Sequence, residues 1–244
     1  MKTNNNSEKG NVLFLILIAV ALFAALSYAV TQSSRSGGDA GRETNILNSA
    51  QLSQYPNQIR TAILRQVIDG IDIFSIRFNA PADFDDLDGT TGRIGVFHPN
   101  GGGAVFQDAS VDMMANGSPG QWTYNLEFEV PDIGLSVSSG IAGNDLIAFL
   151  PGVTLSVCQR INLEAGISSD PSANPPVIAT TVATAYAENM VDDGTTDYSI
   201  PSGESYISLD TDPDTDDVLT GRPFGCFRNT SSGDYVYYHV LNER

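Results

Sequence analysis

The sequence predicts an α+β protein: an N-terminal transmembrane helix, then short helices packed on a mainly antiparallel sheet with one inserted helix. Three observations carry that expectation. Residues 10–34 contain no charged side chain, and residues 12–30 (VLFLILIAVALFAALSYAV) are almost wholly apolar. Apolar residues then recur at helical spacing as far as Gly70. Beyond residue 71, short alternating runs punctuated by glycine, proline and aspartate take over.

Residues 1–10 form a leader that holds both lysines, Lys2 and Lys9. Residues 11–35 follow as the transmembrane helix. At ~1.5 Å per residue the charge-free stretch is roughly 37 Å long, against about 30 Å of bilayer hydrocarbon. No polar stripe of helical period precedes Ser27, so an amphipathic surface helix fits poorly. The lysines lie before the run, and Asp39 and Glu43 lie after it. The positive-inside rule therefore puts the N-terminus in the cytoplasm and the acidic body outside. A cleavable secretory signal is the alternative, because Ser27-Tyr28-Ala29 offers small residues for a signal peptidase. The apolar run exceeds the ~7 to 15 residues of such a signal's core, which favours a retained anchor.

Residues 36–70 read as a neck and two short helices. Gly37, Gly38 and Gly41 each disfavour helix by about 1 kcal/mol relative to alanine, which makes this stretch a flexible neck. Ile46, Leu47, Ala50 and Leu52 form one helical cluster, and Ile59, Ala62, Ile63 and Val67 form another. Pro56 is expected to end the first helix at Tyr55, and Gly70 to terminate the second. Residues 71–244 are the exported α+β domain. Its clearest strand is 121–130, where Trp122, Tyr124, Leu126, Phe128 and Val130 alternate with polar residues, as in a half-buried antiparallel strand. Further strands are expected at 73–78, 92–97, 145–150, 177–188 and 205–209, and a terminal hairpin joins 225–228 to 235–241. The inserted helix, 154–165, places Leu155, Cys158, Ile161 and Ala165 on one face ahead of Gly166. Residues 168–176 and 191–222 read as surface loops.

Charge and motif content narrow the function. Twelve Lys+Arg against 29 Asp+Glu give a net charge of −17, which repels nucleic acid. Cys158 and Cys226 fit export, where an oxidising compartment lets them pair; two buried free thiols are the alternative. With His98 and His239 as the two histidines and no G-x-S-x-G elbow, a hydrolase is disfavoured and no enzyme activity is expected. His239 reads as a sheet histidine, and residues 98–103 as a glycine-rich turn with a weak claim to be an anion nest. No cofactor is implied except calcium. Asp210, Asp212, Asp214, Asp216 and Asp217 supply the hard oxygen ligands that Ca²⁺ takes, though without the EF-hand spacing, and Asp83, Asp85, Asp86 and Asp88 form a weaker cluster. A solvated acidic loop is the plainer reading of both.

The order of parts resembles the type IV pilin and type II secretion pseudopilin superfamily: a basic leader ending in Gly10, an immediate apolar helix, and an exported αβ body with a late cysteine pair. The resemblance implies cleavage between Gly10 and Asn11, anchoring in the bacterial inner membrane with a periplasmic C-terminal domain, and pilin-like subunits as partners. Two positions depart from the family pattern. The mature chain would begin with Asn11 instead of Phe or Met, and Leu15 replaces the usual glutamate at the fifth mature position. That pattern implies a minor or tip subunit, or a protein that is never assembled. Longer segments, including the LPGVTLSVCQRIN helix and the YVYYHVLNER ending, resemble a family of uncharacterised membrane-anchored bacterial envelope proteins. That resemblance implies a bacterial envelope protein and no particular activity; for this chain a membrane-tethered periplasmic binding module, acting through its acidic, calcium-binding loops, is the competing expectation.

Overall fold

The computed structural model describes residues 9–33, 37–87, 92–134, 144–178, 190–193, 206–207, 217–230 and 232–244. The chain divides into two compact units, Met1–Thr44 and Asn45–Arg244. The first contains helix α1, Lys9–Ser33, in which Val12–Thr31 has a mean hydropathy of 2.7 and no burial within the protein. α1 is long and apolar enough to cross a membrane. Its polar end is satisfied locally, Thr31 Oγ1 donating to the Ser27 carbonyl.

Helix α2 is continuous from Gly37 to Ile68 and includes Pro56. Two expectations fail here: residues 37–41 are helical, and Pro56 does not divide the helix. Proline removes one backbone donor and crowds the preceding turn. Side chains on either side of the proline add bonds to other carbonyls of the same turns. Asn57 Nδ2 donates to the Ser53 carbonyl at 2.7 Å, and Ser53 Oγ donates to the Ser49 carbonyl at 3.1 Å. Pro56 lies on the buried stripe formed by Ser49, Leu52, Tyr55, Ile59, Ala62, Ile63 and Gln66, so packing holds it in place. The predicted first cluster is out of phase with that stripe, since Ile46, Leu47 and Ala50 face solvent. Gly70, at φ +85°, ends α2 in a Schellman motif, with Ile71 N–H bonded to the Gln66 carbonyl and Gly70 N–H to that of Val67.

The described residues between 71 and 122 are mostly irregular. The predicted strands at 73–78 and 92–97 reduce to a single bridge, Arg77 to Gly95. The Asp72 carboxylate accepts from Phe74 N–H and starts a 3-10 turn, Ile73–Ser75, where a strand would begin. The later stretch folds on itself at glycine: a Cβ on Gly101 would lie 2.1 Å from the Gly95 carbonyl oxygen.

Five strands make one sheet in the order β1-β2-β5-β4-β3: β1 Thr123–Phe128, β2 Asp145–Val153, β3 Val177–Ile178, β4 Phe224–Asn229 and β5 Tyr235–Asn242. All pairs are antiparallel except β3 with β4. One face, with Leu126, Ala148, Leu150, Tyr237 and Cys226, packs in one core with the stripe of α2 and with α3, Leu155–Glu164. The opposite face, with Phe128, Phe149, Phe227, Tyr238 and Val240, is buried with Ile133, Ile178, Ile207 and Leu219. Strand β1 is therefore buried on both sides, Asn125 and Glu127 included, and not half-buried as its alternation predicts. Residues read as surface loop are also part of the core: Leu219 is fully buried, and buried Asp192 donates its N–H to Asn79 Oδ1 at 2.9 Å; just before that loop, buried Met190 donates to the Tyr124 carbonyl at 2.8 Å and accepts from Phe78 N–H at 2.7 Å. Of the predicted strand 205–209, Tyr206 bridges Glu129; residues 179–188 of the 177–188 strand lie outside the described residues.

Candidate functional site

Helix α3 begins at Thr154, whose Oγ1 accepts from Val157 N–H, and ends in a Schellman motif at Gly166. Its inner face carries Val157, Cys158, Ile161 and Asn162, whereas Leu155 points outward. Cys158 forms a disulfide with Cys226 of β4, across a Cα separation of 5.3 Å. Beside it, Asn162 donates from Nδ2 to the Cys226 carbonyl and accepts at Oδ1 from Cys226 N–H, both at 2.8 Å. A covalent bond and a two-point amide clamp thus join the same pair of elements.

On the other flank of α2 a groove of about 440 Å³ opens towards residues 107–113. Gln51, Gln54 and Gln58 line it from the helix, Gln107 and Asp108 from the facing segment, and Tyr55 and Trp122 from beneath. A second cavity of about 210 Å³ shares Gln107, Asp108 and Trp122 and adds Phe106. Beneath both lies an aromatic assembly: Tyr124 stacks on Phe78 with centroids 4.1 Å apart, and Trp122 packs on Tyr55 at 5.3 Å. Burial pushes the Tyr55 and Tyr124 phenol pKa values up. Sequence reading missed this site. Its legible signal is the glutamine spacing of three and four residues on a helix that has no acidic residue between 45 and 68.

Two further buried groups titrate away from their ordinary values. His239 Nδ1 and the Tyr237 hydroxyl are 2.8 Å apart, and the imidazole stacks on Phe224. Burial and the Arg60 charge lower its pKa to about 4, so it is a neutral sheet histidine at physiological pH, as its setting in a tyrosine-rich strand predicts. The Asp145 carboxyl is pushed up to about 7 by burial. Accepting from Val130 N–H at 3.0 Å and Arg244 N–H at 3.1 Å opposes that shift, while the charges of Glu129 and Glu243 add to it.

The remaining predicted positions separate. Gly10 and Asn11 lie in the first turns of α1, and Leu15 is 59% exposed. Asp210, Asp212, Asp214 and Asp216 lie outside the described residues, as does Asp88. Asp217 is described, and its Oδ1 accepts from Leu219 and Thr220 N–H, which ties that oxygen to a turn. Among the described residues no cluster of three or more His, Cys, Asp and Glu is placed to hold a metal. In the 98–103 turn, Gly101 and Gly103 N–H both bond to the His98 carbonyl and Gly102 N–H to that of Gly95, so these amides are not directed at an anion. His98 Nδ1 accepts from Asn100 N–H at 3.1 Å. Comparison with known proteins finds no match: no family model, no curated protein and no solved structure matches the chain.

Proposed function

We propose that the protein is a pilin-like minor pseudopilin of a bacterial secretion or pilus-type system. α1 anchors it in the inner membrane with the N-terminus in the cytoplasm, and the second unit works in the periplasm through protein contacts. The observation that carries this reading is the apolar stretch Val12–Thr31, which follows Gly10 almost at once and is not buried among the described residues. Such a surface is stable in hydrocarbon and costly in water. The Cys158–Cys226 disulfide supports an oxidising compartment for the second unit.

Mass spectrometry of the mature N-terminus in its native host tests the reading directly. A chain beginning at Asn11 is expected. A chain beginning at Val30 would mean ordinary signal-peptide removal, and an uncut Met1 would leave a plain anchor without pilin-type processing.

A further inference from the structure

We propose that the groove between α2 and residues 107–113, together with the adjoining cavity that shares its Gln107, Asp108 and Trp122 wall, binds a neutral oligosaccharide, with the Gln51, Gln54, Gln58 and Gln107 amides meeting its hydroxyls and Phe106 of the adjoining cavity packing against the apolar face of a sugar ring. This stands on the second unit alone and is independent of the anchoring reading.

The first reason is chemical. Solvent-facing helix positions usually carry Lys, Glu or Arg. In a chain of net charge −17, this face carries amides instead. An amide both donates and accepts, as a sugar hydroxyl does, and it attracts neither cations nor anions. Asp108 is the one charged group among the residues lining the groove, Asp83 joins it in the adjoining cavity that holds Phe106, and each adds an acceptor for a hydroxyl pair. Without a Lys or Arg in the lining, a phosphorylated or carboxylated ligand would meet no counter-charge.

The second reason is geometric. Gln51, Gln54 and Gln58 lie on one face of α2 and span about 10 Å along the axis, which matches an extended chain better than a single small molecule. Phe106 is 43% exposed, yet its ring is held edge-on against Phe97 at 5.1 Å. It is thus a fixed aromatic surface open to solvent, beside the ridge formed by Gln107 and Asp108. The lining disfavours a peptide, because a bound strand needs unpaired backbone groups. At this wall Ala109 already exchanges both backbone hydrogen bonds with Gly120, at 2.8 and 3.1 Å, and Gln107 N–H donates to the Tyr55 hydroxyl at 3.4 Å.

Trp122 is the single tryptophan of the chain and lines both cavities, so tryptophan emission excited selectively over the nine tyrosines reports this site alone. Full-length protein, held in a detergent without a sugar headgroup, is titrated with chitotetraose, cellotetraose and maltotetraose. Parallel titrations use a tetragalacturonate and a neutral Gly-Ser-Ala hexapeptide. At least one neutral tetrasaccharide is expected to shift the Trp122 emission saturably. Gln54→Ala/Gln58→Ala, at exposed helical positions where alanine favours the fold, should weaken that binding roughly tenfold or more. Phe106→Ala should weaken it independently. No response to any neutral sugar overturns the proposal, as does a sugar response that the glutamine variant leaves unchanged. Preferential binding of the hexapeptide or of the tetragalacturonate overturns it as well, in favour of a peptide groove or an anion site.

Discussion

Asp145 and His239 show how single buried groups set the pH response of this unit. Asp145 titrates at 3.8 when solvated and at about 7 when folded. Between those values the native state holds a proton that the unfolded chain has released. The resulting stabilisation is complete below pH 3.8 and is lost as pH rises through 7. His239 runs the other way, from 6.5 when solvated to about 4 when folded. Its contribution is present above pH 6.5 and is lost as pH falls through 4. The two slopes oppose each other across most of the interval from pH 4 to 7. Asp145→Asn removes one of them and presents an amide N–H₂ to one of two backbone donors, a constant cost of about 1–3 kcal/mol. The melting temperature of the wild type should therefore exceed that of the variant by most near pH 4, with the gap shrinking up to pH 8. A gap that does not vary with pH would mean that the buried carboxyl keeps its ordinary affinity for protons.

At the scale of elements, the junction of α3 with β4 rests on the disulfide and on Asn162. The bridge closes a loop with a sequence separation of 68, and its loss should cost about 4 kcal/mol through the unfolded chain. Asn162→Ala strands both Cys226 backbone groups in a fully buried place, at about 1–3 kcal/mol for each. We expect Asn162→Ala to lower the denaturation midpoint about as much as Cys158→Ala/Cys226→Ala does. A change below about 0.5 kcal/mol would show the clamp to be redundant with the bridge. The helix itself was legible in the sequence, from Thr154, the apolar spacing and Gly166, and so was the compartment-based expectation of a cysteine pair. Asn162 was not, because a polar helix residue reads as solvent-facing until the strand that uses both ends of its amide is known. The same limit explains Pro56: local propensity predicts a break, and the burial of one continuous stripe of α2 overrides it. The terminal hairpin and β1 were legible from alternation. The burial of both faces of β1 was not, since alternation reports contrast between faces and not what later segments cover. The groove needed the fold as well, because residues 51–58 and 107–110 are far apart in sequence.

For the whole molecule, the proposed pseudopilin role makes a prediction about assembly that turns on Leu15. Processing at Gly10 would leave the amine of Asn11 at the start of an apolar helix. Such a charge, buried among neighbouring helices, is costly unless a carboxylate meets it. Leu15 provides none, and nothing else on Val12–Thr31 is acidic, so an identical neighbour cannot satisfy the amine. Purified full-length protein should therefore fail to polymerise alone, and should enter filaments substoichiometrically with a subunit that carries a carboxylate. Leu15→Glu supplies the missing partner without disturbing packing, because Leu15 is exposed within its own unit. Its membrane cost stays below the roughly 3 kcal/mol of a charge at the helix centre, since position 15 is close to the N-terminal end. Electron microscopy of the two proteins, after processing, should show filaments for the variant and none for the wild type. Filaments of the wild type alone would mean that another group, such as the Asn11 side chain, satisfies the amine, and Leu15 would then carry no information about the protein's place in an assembly.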